Sequence, residues 1–169
     1  MNILVIFGAK YLYLIEIVLA IIYFFLQSKS KQKLIVVFSA IFFPLTYIIA
    51  KVVSFLYFDP RPFVIGHFTP LIAHAPDNGF PSDHMLLAGA IASILYVYNK
   101  KLGIVAWVVA FIIGASRVFV GVHHWIDIVG SVVIVVCVMW LVKTYVLPEI
   151  TKTTKFYKRY FENKATPSL

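Results

Sequence analysis

A chain of 169 residues that is 62% hydrophobic, 17% aromatic and only 13% charged is too apolar for a soluble domain and calls for a bilayer as solvent. Its formal net charge of +8 requires no nucleic-acid partner. The positive residues fall mostly between apolar runs and in a C-terminal tail, where they act as a topology signal and meet anionic lipid headgroups.

In chain order, the residues before Tyr11 lack a basic n-region and a small-residue cleavage site, so they read as an interfacial turn leading into the first helix. Apolar runs then cover Tyr11–Leu26, Leu34–Phe58, Met85–Tyr98, Leu102–Phe119 and Trp125–Leu147. A span needs about 20 such residues, and the short third run lengthens enough if its helix starts at Ser82 or Asp83. The expected fold is therefore all-α, a polytopic membrane helix bundle of about five transmembrane helices. Within it, Glu16 in the first run is expected to pair with Lys10 or another helix, and Cys137 to be a small packed core residue.

No repeat or linker divides the chain, which reads as one unit over 1–169 with a motif core at 51–127 and a basic tail at 148–169. Lys29, Lys31 and Lys33 lie in the first gap and Lys100 and Lys101 in the third. Lys143, Lys152, Lys155, Lys158, Arg159 and Lys164 lie at or beyond the last helix. Most of the 15 basic residues thus share one side, which the positive-inside rule makes cytoplasmic. The tail is then cytoplasmic, and the gaps at 59–81 and 120–124 face outward.

The polar residues that break the apolar pattern gather around those outward gaps, where an ionisable group beside a membrane segment is costly unless it has a function. Pro81-Ser82-Asp83-His84 carries a helix-start signal, with Ser82 as N-cap, and free backbone N–H groups at such a start suit an anion. Arg117, at the end of the fourth run, offers a fork of donors matched to phosphate oxygens. His123 and Asp127 have i,i+4 spacing, so the carboxylate can hold one imidazole nitrogen and leave the other free as base or nucleophile. His124, whose i+4 partner is Ile128, reads as a bystander or headgroup contact. Arg61, between Pro60 and Pro62, suits a positioned phosphate ligand. The long loop from Gly66 to Gly79 holds His67, His74, Asp77 and Asn78 and reads as a lid or headgroup contact rather than a metal site.

Taken together, Lys51…Arg61-Pro62, Pro81-Ser82-Asp83-His84 and Ser116-Arg117-x5-His123-x3-Asp127 resemble the three ordered motifs of the type-2 phosphatidic acid phosphatase superfamily. The resemblance implies that His123 is the nucleophile and forms a phosphohistidine, that Asp127 orients it, and that His84 protonates the leaving group. It further implies that Arg61, Ser82, Arg117 and backbone N–H groups near Asp83 hold the phosphate oxygens, with Lys51 as a further cation. No metal or other cofactor is implied.

Two departures from the family pattern stand out. Nine residues separate Lys51 from Arg61 where the family usually has six, and Asp83 replaces a usual glycine, beside the phosphate, where it either selects a diphosphate or points away. An active site at the outer membrane face suits a lipid phosphate, and the Pro-Ser-Asp-His form resembles undecaprenyl-diphosphate phosphatases of the inner (cytoplasmic) membrane. Phosphatidylglycerol phosphate, phosphatidic acid and a lipid A phosphate are the alternative substrates. A lipid-binding or transport protein, or a haloperoxidase, would use the same anion pocket without this hydrolysis.

Overall fold

The computed structural model describes residues 2–148, so the expected basic tail beyond 148 lies outside the described residues. Among the described residues every regular element is helical: α1 (Asn2–Lys10), α2 (Leu12–Phe25), α3 (Lys29–Leu56), α4 (Pro62–Ile65), α5 (Asp83–Tyr98), α6 (Lys100–Phe119) and α7 (Trp125–Leu141). A π-helical turn, Val142–Val146, continues α7.

By length and composition, α3, α6 and α7 with its continuation can each cross a membrane, and α1 with α2 makes a fourth if the pair, bent by 49°, is one broken span. The remaining apolar helix of the expected five, α5, has 16 residues. At a 1.5 Å rise it is about 24 Å long, short of a hydrocarbon layer of about 30 Å. The expected membrane helix bundle is present, with three or four helices of full spanning length.

α5 is the axis of the bundle. It packs against α6 and α7 most extensively and touches α2 and α3 as well. Its small residues allow this: Ala88, Ala90 and Ala92 are buried, and Met85, Leu86, Ile91, Ile94 and Leu95 fill the space between neighbouring helices. Phe38 and Phe42 of α3 join Val135 and Val138 of α7 in the largest core cluster. The outward faces are equally apolar, with Ile104, Val108, Phe111 and Ile112 of α6 all exposed. A helix apolar on every side is the pattern expected in lipid.

Several expectations are corrected. The segment before Tyr11 is a helix, α1, rather than a turn. α3 begins at Lys29, where the Ser28 hydroxyl accepts the Lys31 N–H, so the first basic cluster lies on its opening turns. Glu16 does not pair with Lys10. It is 4% exposed and neither carboxylate oxygen has a partner among the described residues, while the Lys10 ammonium stands 5.5 Å from the centre of the Tyr11 ring. Cys137 is exposed on the outside of α7 because lipid-facing and core-facing positions are equally apolar in a membrane bundle.

Candidate active site

The loops at one end of the bundle bring Arg61, His123 and Asp127 together. The Asp127 carboxylate is the third residue of α7. Its Oδ2 accepts the backbone N–H of His124 at 2.9 Å, which caps the helix start, and lies 3.1 Å from His123 Nδ1. With the carboxylate as acceptor, Nδ1 carries the ring proton and Nε2 keeps its lone pair. His123 is 3% exposed and Asp127 0%. Burial holds the His123 pKa below its ordinary value of 6.5, and the charges of Arg117 and Arg61 add to the effect against the upward pull of Asp127. The ring is therefore neutral at neutral pH.

Arg61 Nη1 lies 3.4 Å from that Nε2 and donates to the Val122 carbonyl at 2.8 Å, while Nη2 donates to the Asn78 carbonyl at 3.3 Å. Its Nε donates to Asp77 Oδ1 at 2.7 Å. Burial pulls the Asp77 carboxyl upward, but the Arg61 hydrogen bond and charge, with His74, outweigh this and hold it below its ordinary value. Arg61 is itself only 5% exposed, so its proline-flanked backbone and three protein acceptors lock the guanidinium against the imidazole.

The C-terminal end of the 66–79 loop, expected to be a lid or headgroup contact, is anchored through Asn78. The Asn78 side-chain carbonyl accepts the N–H groups of Asp59 and Phe80 at 2.9 and 3.0 Å, and its amide donates to the carbonyls of Ser54 and Tyr57 at 2.9 and 3.0 Å. A Cβ on neighbouring Gly79 would stand 3.0 Å from Asp127 Oδ2 and 3.2 Å from the Asp59 carbonyl, so the missing side chain is what lets this strand of loop lie against the carboxylate. At Gly121 the backbone is left-handed, with φ of 84°, which turns the chain from α6 toward His123. His67 is exposed, and the His74 ring centre is 6.3 Å from that of His123.

α5 begins at Asp83, as its proline–serine signal predicts, but Ser82 makes no side-chain cap. Its N–H instead donates to Ser131 Oγ at 2.9 Å, and that hydroxyl lies 2.7 Å from the Asp127 carbonyl. Ser131, one turn beyond Asp127, thus ties the second motif to the third; its i+4 position was the signal available in the sequence. Ser82 Oγ is buried without a partner, as are Arg117 Nε and Asp127 Oδ1. The Ser82 hydroxyl and the Arg117 Nε–H are donors that an anionic ligand would satisfy, whereas the Asp127 oxygen is an acceptor that it would not.

His84, on the first turn of α5, meets the edge of Tyr13 with ring centres 4.8 Å apart. With Arg117, Lys10, His74, Ile72 and Ala73 it lines a cavity of 310 Å³. Lys10 and Tyr13 were not among the expected phosphate-site residues, because only the fold brings α1 and α2 to this end, and His74 comes from the loop expected to be a lid or headgroup contact. Lys51 and Asp83 line a different cavity, of 320 Å³, along α3 and α5, and the Lys51 ammonium is 5.3 Å from the centre of the Tyr47 ring. The extra residues between Lys51 and Arg61 set the lysine farther back on α3. His124 Nδ1 is 2.7 Å from Asp59 Oδ2, a contact that the sequence spacing did not predict. Asp59, His124 and Asp127 place metal-ligand atoms within 4.8 Å of one another, yet hydrogen bonds account for the contacts of His124 Nδ1 and Asp127 Oδ2.

Comparison with known proteins places the chain in a family. The PAP2 superfamily pattern matches residues 32–150. A protein of Bacillus licheniformis named bacitracin transport permease protein BcrC is 32% identical over 132 residues, which cover 78% of this chain and 64% of that one. The undecaprenyl-diphosphatase BcrC of Bacillus subtilis is 37% identical over 94 residues, covering 56% and 49%. The chain thus spans less than two thirds of the length of these relatives. The crystal structure of a transmembrane PAP2-type phosphatidylglycerolphosphate phosphatase from Bacillus subtilis superposes with a TM-score of 0.58 at 25% identity, over 90% of this chain and 75% of that one. The three ordered motifs, the family match and the shared helical fold have one reading: the chain belongs to the PAP2 superfamily.

Proposed function

We propose that the protein is a membrane lipid phosphatase that hydrolyses a lipid phosphate or diphosphate, with undecaprenyl diphosphate as the favoured substrate, through a phosphohistidine on His123. The observation that carries the reading is the geometry of the His123 ring, held at Nδ1 by Asp127 with Nε2 beside the Arg61 guanidinium. The undecaprenyl-diphosphatase name of the 37%-identical relative supports the choice of substrate.

In this mechanism His123 Nε2 attacks phosphorus in line, and the N–P bond forms as the bond to the leaving oxygen breaks. His84 gives that oxygen a proton. Arg61, Arg117, the Ser82 hydroxyl and backbone N–H groups at the start of α5 hold the equatorial oxygens, where charge stabilisation matters most. Water then attacks the phosphohistidine, returning a proton to His84 and releasing phosphate. Lys51 and the Asp83 side chain, in the neighbouring cavity, act only as distant charges. The site faces the exterior side of the cytoplasmic membrane, so a headgroup enters while its tail remains in hydrocarbon, and the whole chain works as one domain.

Phosphate release by the purified protein from a panel of undecaprenyl diphosphate, phosphatidylglycerol phosphate and phosphatidic acid tests the reading. Release fastest from the first, survival in EDTA, and loss of both turnover and radiolabelled phosphoenzyme in His123→Ala are expected. No release from any lipid would overturn the activity. Loss to chelator restored by one divalent ion would instead move the chemistry to the Asp59, His124 and Asp127 cluster.

A further inference from the structure

The cavity beside His84 holds two side chains with a permanent positive charge, Arg117 and Lys10, together with two histidines. Arg117 and His84 enter it from the second and third motifs, and Lys10 and His74 from segments outside all three motifs. α1 delivers Lys10. Gly8 packs against the Ser116 side chain, and Ala9 is buried with Val120, Val122 and Ile72. The Ala9 carbonyl accepts Arg117 Nη1 at 3.4 Å. The residue that follows in the chain is thereby held at the mouth of the cavity. Its ammonium has no carboxylate within ion-pair distance among the described residues, whereas Arg61 already has Asp77.

We propose that Lys10 binds the leaving phosphate of a diphosphate substrate and so gives the site its preference for diphosphates over monophosphates. This rests on the lipid phosphatase reading above. In an in-line displacement the acid stands on the leaving-group side, opposite the nucleophile. Lys10 shares its cavity with His84, the proposed acid, and His74 of the same cavity has its ring centre 6.3 Å from that of His123, the proposed nucleophile. A diphosphate leaves as a phosphate monoester whose additional negative charge a monophosphate's alcohol lacks. An ammonium that lines the same cavity as His84 and has no carboxylate partner neutralises that charge as the P–O bond breaks, while His84 supplies the proton.

The test compares kcat/KM for a polyprenyl diphosphate and the monophosphate of the same chain length. Lys10→Gln should lower the diphosphate-to-monophosphate ratio about tenfold or more, the range of a lost charge-assisted contact, and Lys10→Arg should keep the ratio within about threefold. A ratio unaltered in Lys10→Gln would overturn the inference even if total activity fell, because the ratio does not depend on how much protein folds. If the native protein hydrolyses neither lipid, the phosphatase reading fails separately. Calorimetric binding of inorganic pyrophosphate and phosphate then decides the role of Lys10: selective weakening for pyrophosphate in Lys10→Gln supports it, and equal affinities overturn it.

Discussion

His123 is subject to opposing influences. Burial and two arginines favour the neutral ring, and the Asp127 carboxylate favours the charged one, with burial and the arginines prevailing. The sign leads to a measurable consequence. Protonation of the nucleophile sets the acid limb of kcat/KM, so that limb should lie below about 6.5, the value for an unperturbed histidine. Asp127→Asn removes the carboxylate that contacts the ring and should move the limb further to acid. It should also cut the rate on the order of 100-fold or more, since the amide no longer fixes the tautomer. A limb that moves toward neutral pH in this variant would contradict the arrangement.

The elements divide the work of building the site. α5 provides the axis, α6 and α7 bring Arg117 and Asp127 to one end, and α1 closes the cavity beside them. The seat of α1 on α6 depends on a close approach: a Cβ on Gly8 would collide with the Ser116 hydroxyl. Gly8→Leu should therefore displace α1, break the Ala9–Arg117 hydrogen bond and lower lipid phosphate hydrolysis about tenfold. A detergent-solubilised sample should retain the helical circular dichroism of the remaining bundle. Full activity in Gly8→Leu would show that the site does not require α1 in this position.

At the scale of the whole molecule, the distribution of lysines predicts that the end carrying His123 faces outward and the α5–α6 turn faces the cytoplasm. Single cysteines at exposed Thr69 and Lys101 test this after Cys137, which is itself exposed, is replaced by serine. A membrane-impermeant thiol reagent added to intact cells should label the first position and reach the second only after permeabilisation. Labelling of both in intact cells would reject the topology and, with it, an outward-facing site.

Much of this protein could be read directly from its residues. The apolar runs anticipated α2, α3, α5, α6 and α7 to within about two turns, because a helix satisfies its own backbone in lipid, but they missed α1 and α4. The i,i+4 spacing of His123 and Asp127 defined a contact that needs only local helix geometry. Proline and serine before Asp83 marked the start of α5 for the same reason. What hydropathy does not carry is direction. In a bundle surrounded by hydrocarbon, Cys137 facing lipid and Val138 facing the core look alike in sequence, as they would not in water. Contacts between distant segments were equally hidden. Asp77 on Arg61, Ser131 between the second and third motifs, and Lys10 beside His84 depend on loops and helices that meet only after packing. Lys51 shows the reverse: its place in the motif order suggested the phosphate site, but rigid helical spacing carries it to another cavity. The sequence by itself determined the solvent, the helices and the local catalytic pair, because these depend on composition and short-range geometry. Only tertiary structure decided which charges share the cavity, because that depends on how the helices pack.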